Sequence, residues 1–238
     1  MAVPDLADSR SSRAATDALL GLLKEGRWHP AAIARFLGLA VDRSVRQAAR
    51  RPQALAQTTA QHALLFIPAR GRPGRRWVAA SWALTALHLG LLEERIRLSP
   101  ADVLTLIRGN LPATALGPGR WSGALVIASD LADGRLARHQ DTVSAFGEHA
   151  DSLADAAFWT WLVLRNEPSR TVRAAAIAAW AAPAVTVTGI AIIRGRIPEL
   201  PRPALIRPAA AMQGIVALRQ LLRSRRPPDG IPYSATAR

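Results

Sequence analysis

The chain has 238 residues, of which 50% are hydrophobic and 20% are charged, enough for one sizeable domain or a domain with an extension. It contains no cysteine, which excludes disulfides, thiolate catalysis and zinc–thiolate sites. The formal net charge is +14, and every basic residue except Lys24 is an arginine. Such a charge fits nucleic acid, anionic lipid or a phosphorylated substrate. An arginine- and alanine-rich composition is also typical of a bacterial, GC-rich genome, which weakens that inference.

The first third of the chain has the pattern of amphipathic helices. The start of the chain lacks the apolar core of a secretory signal, so none is expected. Residues 14–66 place apolar side chains three and four positions apart, as in "PAAIARFLGLAVDRSVRQAAR". The favoured interpretation is a packed cytosolic helical extension over residues 1–72, and the alternative is a helix that lies on anionic lipid. The segment "PARGRPGRR", residues 68–76, is predicted to break any helix.

Long uncharged runs follow this extension and predict a membrane domain. Residues 77–92 carry no formal charge but are short for a span, which needs about 20 residues. Residues 174–193 form the strongest candidate, bracketed by Arg173 and Arg194, whereas residues 203–222 are a weaker one. The alternative is a buried alanine-rich bundle. We predict an all-α fold: a polytopic transmembrane helical bundle of about five to six membrane helices over residues 73–226, with a flexible tail over 227–238.

Four aspartates stand within apolar surroundings between these runs. On an α-helix, Asp130 and Asp133 fall on one face, and Asp151 and Asp155 do the same on a second helix. The polar stretch "RHQDT" between them is a plausible turn, which would bring the two faces together. Clustered carboxylates need cations or protonation at membrane depth, and all-oxygen ligation favours hard divalent ions. The alternative is a solvated polar helix face.

The same residues carry a family signature. The CDP-alcohol phosphotransferases share the pattern D-x2-D-G-x2-A-R-x8-G-x3-D-x3-D, and this chain resembles them at every specified position. The spacer "HQDTVSAF" has the required eight residues. The matching residues are Asp130, Asp133, Gly134, Ala137, Arg138, Gly147, Asp151 and Asp155.

This resemblance implies a function and a set of roles. The family consists of integral membrane enzymes that transfer the substituted phosphate of a CDP-alcohol, often CDP-diacylglycerol, to an acceptor hydroxyl and release CMP. It implies that two ions, Mg²⁺ or Mn²⁺, are bound by four aspartates: Asp130, Asp133, Asp151 and Asp155. It also implies that Asp155 is the general base. Gly134, Ala137, Gly147 and Arg138 would bind the nucleotide, with Arg138 facing its phosphates. Arg108 and Arg207 are candidates for an acceptor phosphate, because a guanidinium presents a planar fork to phosphate oxygens.

The expected setting follows from the same resemblance. The partners would be a CDP-linked lipid, a polar alcohol and membrane lipid, in a multi-pass cell-membrane protein whose active site faces the cytoplasm. A homodimer is compatible with it, and nucleic acid is not expected as a partner.

Two departures from the family pattern leave other functions open. Only 21 residues separate Arg108 from Asp130, and two prolines and two glycines interrupt them: Pro112, Gly117, Pro118 and Gly119. Either the first helical hairpin is shortened, or residues 77–92 have taken over part of it. One weak span follows residue 193 where the family usually has two. A catalytically weak or inactive protein of this fold that binds nucleotide or lipid is therefore the alternative. A basic nucleic-acid binder is a third hypothesis, disfavoured because the arginines stand mainly at segment ends.

Overall fold

The computed structural model describes residues 11–198 and 202–223, and these residues form helices and no strand. The predicted tail, residues 227–238, lies outside them. Two short 3-10 turns, Leu89–Leu92 and Leu111–Ala113, separate some of the α-helices. The α-helices are α1 Ser12–Glu25, α2 Pro30–Ala49, α3 Pro52–Phe66, α4 Gly71–His88, α5 Pro100–Gly109, α6 Ser122–His139, α7 Ala145–Asn166, α8 Arg170–Arg194 and α9 Arg202–Arg223. The all-α prediction is confirmed for this part of the chain.

The predicted N-terminal helices are present as α1, α2 and α3. Ser11 caps α1 by accepting a hydrogen bond from the Ala14 amide, which satisfies one of the donors left free at a helix start. The apolar face of α1, centred on Ala15 and Leu19, packs against Phe36 and Leu39 of α2. These helices therefore bury apolar side chains against one another.

The prediction of a helix-free linker over residues 68–76 is wrong from Gly71 onward. Helix α4 begins at Gly71 and continues through the arginines into the apolar run that follows. Pro73 lies in its first turn, where a missing amide proton removes no intrahelical bond, so proline is tolerated there. Gly71 has a positive φ of 60°, which glycine adopts readily. The proline and glycine thus mark a helix start rather than a loop.

Helix α5 is short and firmly fixed at its start. Ser99 and Asp102 form reciprocal hydrogen bonds, in which the Ser99 hydroxyl accepts from the Asp102 amide and the Asp102 carboxylate accepts from the Ser99 amide. Arg95 also pairs with Asp102 at 3.1 Å. With 10 residues, α5 is about 15 Å long, half the thickness of a bilayer core. The length of α5 agrees with a shortened first hairpin, and whether residues 77–92 take over part of that hairpin stays a prediction.

Helix α5 lies between the two helices that carry the signature. It packs extensively against both α6 and α7, whereas α6 and α7 make little contact with each other. Gly109 allows the close approach to α7, since a Cβ atom there would lie 3.0 Å from the Ala154 Cβ. The sequence predicted a direct antiparallel pair of α6 and α7; in the structure α5 connects them.

Two apolar cores hold this arrangement. One joins α6, α7, α8 and α9 around Val126, Phe158, Trp159, Leu162 and Val216. The other joins the N-terminal extension to the site, because Ala54 of α3 and the 3-10 residues Leu89 and Leu92 pack with Leu106 of α5 and Phe146 of α7. The extension is thereby packed against the helices that carry the signature.

Helix α8 contains the predicted strongest membrane run. Among the described helices it is the one long and apolar enough to cross a bilayer, and few of its residues are fully buried. It contains Pro183 and ends at Gly195, which has a positive φ of 71°. The weaker candidate, residues 203–222, lies within helix α9. How many helices span the membrane stays a prediction.

The end of α8 is attached to α1. The Asp17 carboxylate accepts a hydrogen bond from the Ile197 amide at 2.7 Å, and the Lys24 ammonium donates to the Arg194 carbonyl at 3.3 Å. The N-terminal helices are therefore positioned at the C-terminal end of the apolar helix.

The contact of Gly109 with Ala154 predicts opposite effects for two matched substitutions. Gly109→Ala should lower the free energy of unfolding by about 1 kcal/mol, because the added methyl overpacks the α5–α7 contact. Gly21→Ala should raise it by about 0.5–1 kcal/mol, because no atom lies within 4 Å of the new Cβ and alanine favours the helix. Thermal unfolding in detergent compares the two. If alanine at position 109 raised the free energy of unfolding as much as alanine at position 21, the close contact between Gly109 and Ala154 would be contradicted.

Candidate active site and metal centre

The signature aspartates occupy two helices joined by a tight turn. Asp130 and Asp133 lie on α6, and Asp151 and Asp155 lie on α7. Ser144 starts α7 by accepting a hydrogen bond from the Gly147 amide at 3.1 Å. The helix–turn–helix expected from the spacing is confirmed.

The four carboxylates converge on one guanidinium. The Arg108 side chain, contributed by α5, is completely buried. It pairs with Asp133 at 2.8 Å, Asp130 at 3.1 Å and Asp155 at 3.4 Å, and it also contacts Asp151. Burying one charge among four of opposite sign leaves a net negative site. Such a site attracts further cations, because unpaired buried carboxylates are costly.

The aspartates differ in how open they are. The side chains of Asp130 and Asp151 are 41% and 43% exposed, whereas that of Asp133 is 7% exposed. Asp133 is also held from a second side, because Thr105 donates a hydrogen bond to its Oδ2 at 2.9 Å. Asp130 and Asp151 therefore form the accessible side of the site, and Asp133 forms its floor.

Three of the carboxylates have the geometry of a cation site. Oxygens of Asp130, Asp151 and Asp155 all lie within 4.8 Å of one another. The Asp155 Oδ1 atom is buried and accepts no hydrogen bond, although the Arg108 Nε atom lies 3.4 Å from it; its Oδ2 accepts a hydrogen bond from Gln213 at 3.0 Å. An all-oxygen donor set fits a hard divalent ion such as Mg²⁺ or Mn²⁺. Asp133, predicted as a fourth ligand, is not part of this group.

The predicted nucleotide residues lie on the same two helices. Gly134 and Ala137 are half-buried on α6, and Arg138 is exposed, with its guanidinium 3.4 Å from the position of a Cβ on Gly134. Gly147 lies against α5, where a Cβ would meet the Asp102 carboxylate at 3.0 Å. At Gly147 the absent side chain therefore permits close helix packing.

The two candidate acceptor residues occupy different environments. Arg207 is exposed on α9. Arg108 lies inside the carboxylate cluster, so an acceptor phosphate would reach it only after the guanidinium leaves its aspartate partners. Both assignments stay predictions.

Two residues of the site were not predicted from sequence. Thr105 stands one helical turn before Arg108, and Gln213 is one of two amides in the apolar run of α9. A polar side chain within an apolar helical run is the signal that could have identified Gln213. Neither residue belongs to the signature.

Comparison with known proteins places the chain in a family. The family profile for CDP-alcohol phosphatidyltransferase matches residues 98–225, more than half of the chain. No curated protein and no solved structure shows significant similarity. The enzymes of this family are membrane-associated phosphotransferases that use divalent metal ions, and the chain carries an aspartate cluster that could hold such an ion. The chain belongs to the CDP-alcohol phosphatidyltransferase family, whose activity is phosphotransfer in phospholipid synthesis.

The central position of Arg108 predicts a large stability effect. Arg108→Gln should lower the free energy of unfolding of the metal-free protein by about 3–5 kcal/mol, because it leaves buried carboxylates without their cation. Added Mg²⁺ or Mn²⁺ should recover part of this loss. The measurement is chemical or thermal unfolding in detergent with chelator and then with metal.

The matched control is Arg46→Gln. Arg46 pairs with Asp42 at 3.0 Å, but both side chains are half-exposed, so the change should cost about 0–1 kcal/mol. Equal losses for the two variants would show that the buried cluster does not depend on Arg108.

Proposed function

We propose that the protein transfers the substituted phosphate of a CDP-alcohol, with CDP-diacylglycerol as the donor, to the hydroxyl of a polar alcohol and releases CMP. The observation that carries the proposal is the convergence of Asp130, Asp151 and Asp155 within 4.8 Å at the signature positions. Transfer breaks the pyrophosphate bond to CMP and forms a new phosphate ester. The acceptor proton leaves with a base.

The cofactor is proposed to be two Mg²⁺ or Mn²⁺ ions held by Asp130, Asp151 and Asp155, with Asp133 as a further ligand. When bound, such ions neutralise pyrophosphate charge and stabilise the attacking and leaving oxygens. Arg108 of α5 supplies part of the charge that compensates these carboxylates. Asp133 keeps its orientation through Thr105, which would fix the inner side of the site.

Asp155 is proposed as the general base. Gln213 donates to Oδ2 and so orients the carboxylate, while Oδ1 accepts no hydrogen bond and lies 3.4 Å from the Arg108 Nε atom. Once Arg108 moves away from Oδ1, this oriented carboxylate is suited to accept the acceptor's hydroxyl proton, and a hydroxyl is a poor nucleophile until that proton is removed. Gln213 is therefore proposed as the residue that positions the base.

The nucleotide is proposed to bind along Gly134, Ala137, Gly147 and Arg138. The exposed guanidinium of Arg138 lies near Gly134, one helical turn from Asp130, where it could meet phosphate oxygens. Arg207, also exposed, is proposed to bind a phosphate on the acceptor. Arg108 is the second candidate for that role.

An apolar groove next to α7 supports the proposal that the donor is a lipid. It has a volume of about 290 Å³ and is lined by Trp77 and Leu84 of α4, Leu106 of α5, and Leu153 and Ala154 of α7. Ala154 directly precedes Asp155, so the groove runs along the helix that carries the base. Acyl chains in this groove would place a lipid phosphate close to the carboxylates.

A second candidate function is binding of nucleotide or lipid without turnover. The observation that favours it is the length of α5, about 15 Å, which is too short to cross a bilayer core. In either case we propose a multi-pass cell-membrane protein with the site facing the cytoplasm. A homodimer is compatible with both.

Release of CMP separates the two candidates. The purified protein, given CDP-diacylglycerol, Mg²⁺ or Mn²⁺ and a panel of polar alcohols, should release CMP and form one phospholipid product. Removal of divalent ions with EDTA should abolish turnover, because the carboxylates alone repel the pyrophosphate. Metal-dependent binding of the donor without CMP release with any acceptor would favour the binding function.

The proposed base makes a second, narrower prediction. Asp155→Asn should lower turnover by about 10²–10⁴-fold while donor binding is retained, because the amide keeps its shape but accepts no proton. Donor binding and turnover are measured on the same variant, with Asp42→Asn on the exposed face of α2 as the control. Near-parental turnover would rule out the base, and joint loss of binding and turnover would leave a ligand role alone.

A further inference from the structure

Helix α2 carries a second apolar face that no other described helix covers. Its first apolar face, with Phe36 and Leu39, packs on α1. On the remaining surface Ile33, Leu37, Val41 and Val45 are 39%, 55%, 56% and 56% exposed. Their spacing of four residues covers about 120° of the helix surface and about 18 Å of its length. Such a continuous stripe is unusual on a helix that faces only water.

The charges around this stripe favour an anionic partner. Residues 27–51 contain six arginines and one aspartate, Asp42. Arg35 and Arg46 are exposed about 80–100° around α2 from Val45, on the side away from the stripe. An apolar stripe with arginines on the polar face is the pattern of a helix that lies in a membrane interface. Like charges of this number would oppose pairing of α2 with a second copy of itself.

The place of α2 in the fold agrees with a membrane surface. Helix α1 is attached to the C-terminal end of α8 through Asp17 and Lys24, and α2 packs on α1. Because α8 is long and apolar enough to cross a bilayer, its end marks the level where a membrane surface would lie. Trp28, two residues before α2 begins, is 39% exposed, and tryptophan is enriched at this level.

We propose that α2 binds the surface of an anionic lipid bilayer, with Ile33, Leu37, Val41 and Val45 in the acyl boundary and the neighbouring arginines at the headgroups. The extension then serves as a membrane-surface anchor that holds the catalytic helices at a fixed level. This role is independent of catalysis, because α2 contributes no residue to the carboxylate site.

The absence of cysteine in the chain permits a direct test. Leu37→Cys places a thiol-reactive fluorophore on the stripe, and Asp42→Cys places the same fluorophore on the polar side as the matched control. The full-length protein is reconstituted into nanodiscs of phosphatidylglycerol and phosphatidylcholine, and into nanodiscs of phosphatidylcholine alone. Brominated acyl chains quench a fluorophore that reaches the acyl boundary. Both positions are exposed, so the unfolding midpoints should match that of the parent.

In the anionic discs we expect the emission of the fluorophore at position 37 to shift to shorter wavelength and to be quenched by bromolipid. Added salt should reduce both effects. The fluorophore at position 42 should keep the emission that it has in water. Three outcomes would overturn the proposal. They are water-like emission at position 37 in anionic discs, equal quenching without anionic lipid, and energy transfer between labels at position 37 that shows a second copy covering the stripe.

Discussion

The buried guanidinium of Arg108 is the interaction on which the arrangement of the site depends. Four carboxylates on α6 and α7 would repel one another, and α5 reduces this repulsion by placing one cation at their centre. The reciprocal cap of Ser99 and Asp102 fixes the start of α5, and Gly109 allows its end to approach α7. Through its capping box and close packing this ten-residue helix determines where all four aspartates meet.

The negative charge left over explains why the site suits metal ions. One guanidinium balances only part of the charge of four carboxylates, and the open side chains are those of Asp130 and Asp151. A cation arriving from solvent meets these two first, while Asp133 remains held by Thr105 and Arg108. The oriented carboxylate of Asp155 completes the chemistry that we propose.

The sequence predicted the local structure of the site well because spacing determines which residues share a helix face. The helices, the turn between them and the four aspartates followed from the signature. It did not predict that α5 would lie between α6 and α7, because periodicity says which face is apolar and not which helix covers it. Periodicity did not predict the hydrogen bonds of Thr105 and Gln213 for the same reason, because their partners lie 28 and 58 residues away in the chain. The linker prediction failed at Gly71 because proline and glycine also start helices.

The most direct test of the central claim is to locate Mn²⁺ in crystals of the protein by anomalous diffraction. We expect Mn²⁺ to be bound by carboxylate oxygens of Asp130, Asp151 and Asp155. The Arg108 guanidinium should then be displaced from at least one of these aspartates. Mn²⁺ absent from this cluster at saturating concentration, with Arg108 still paired to all four aspartates, would contradict it.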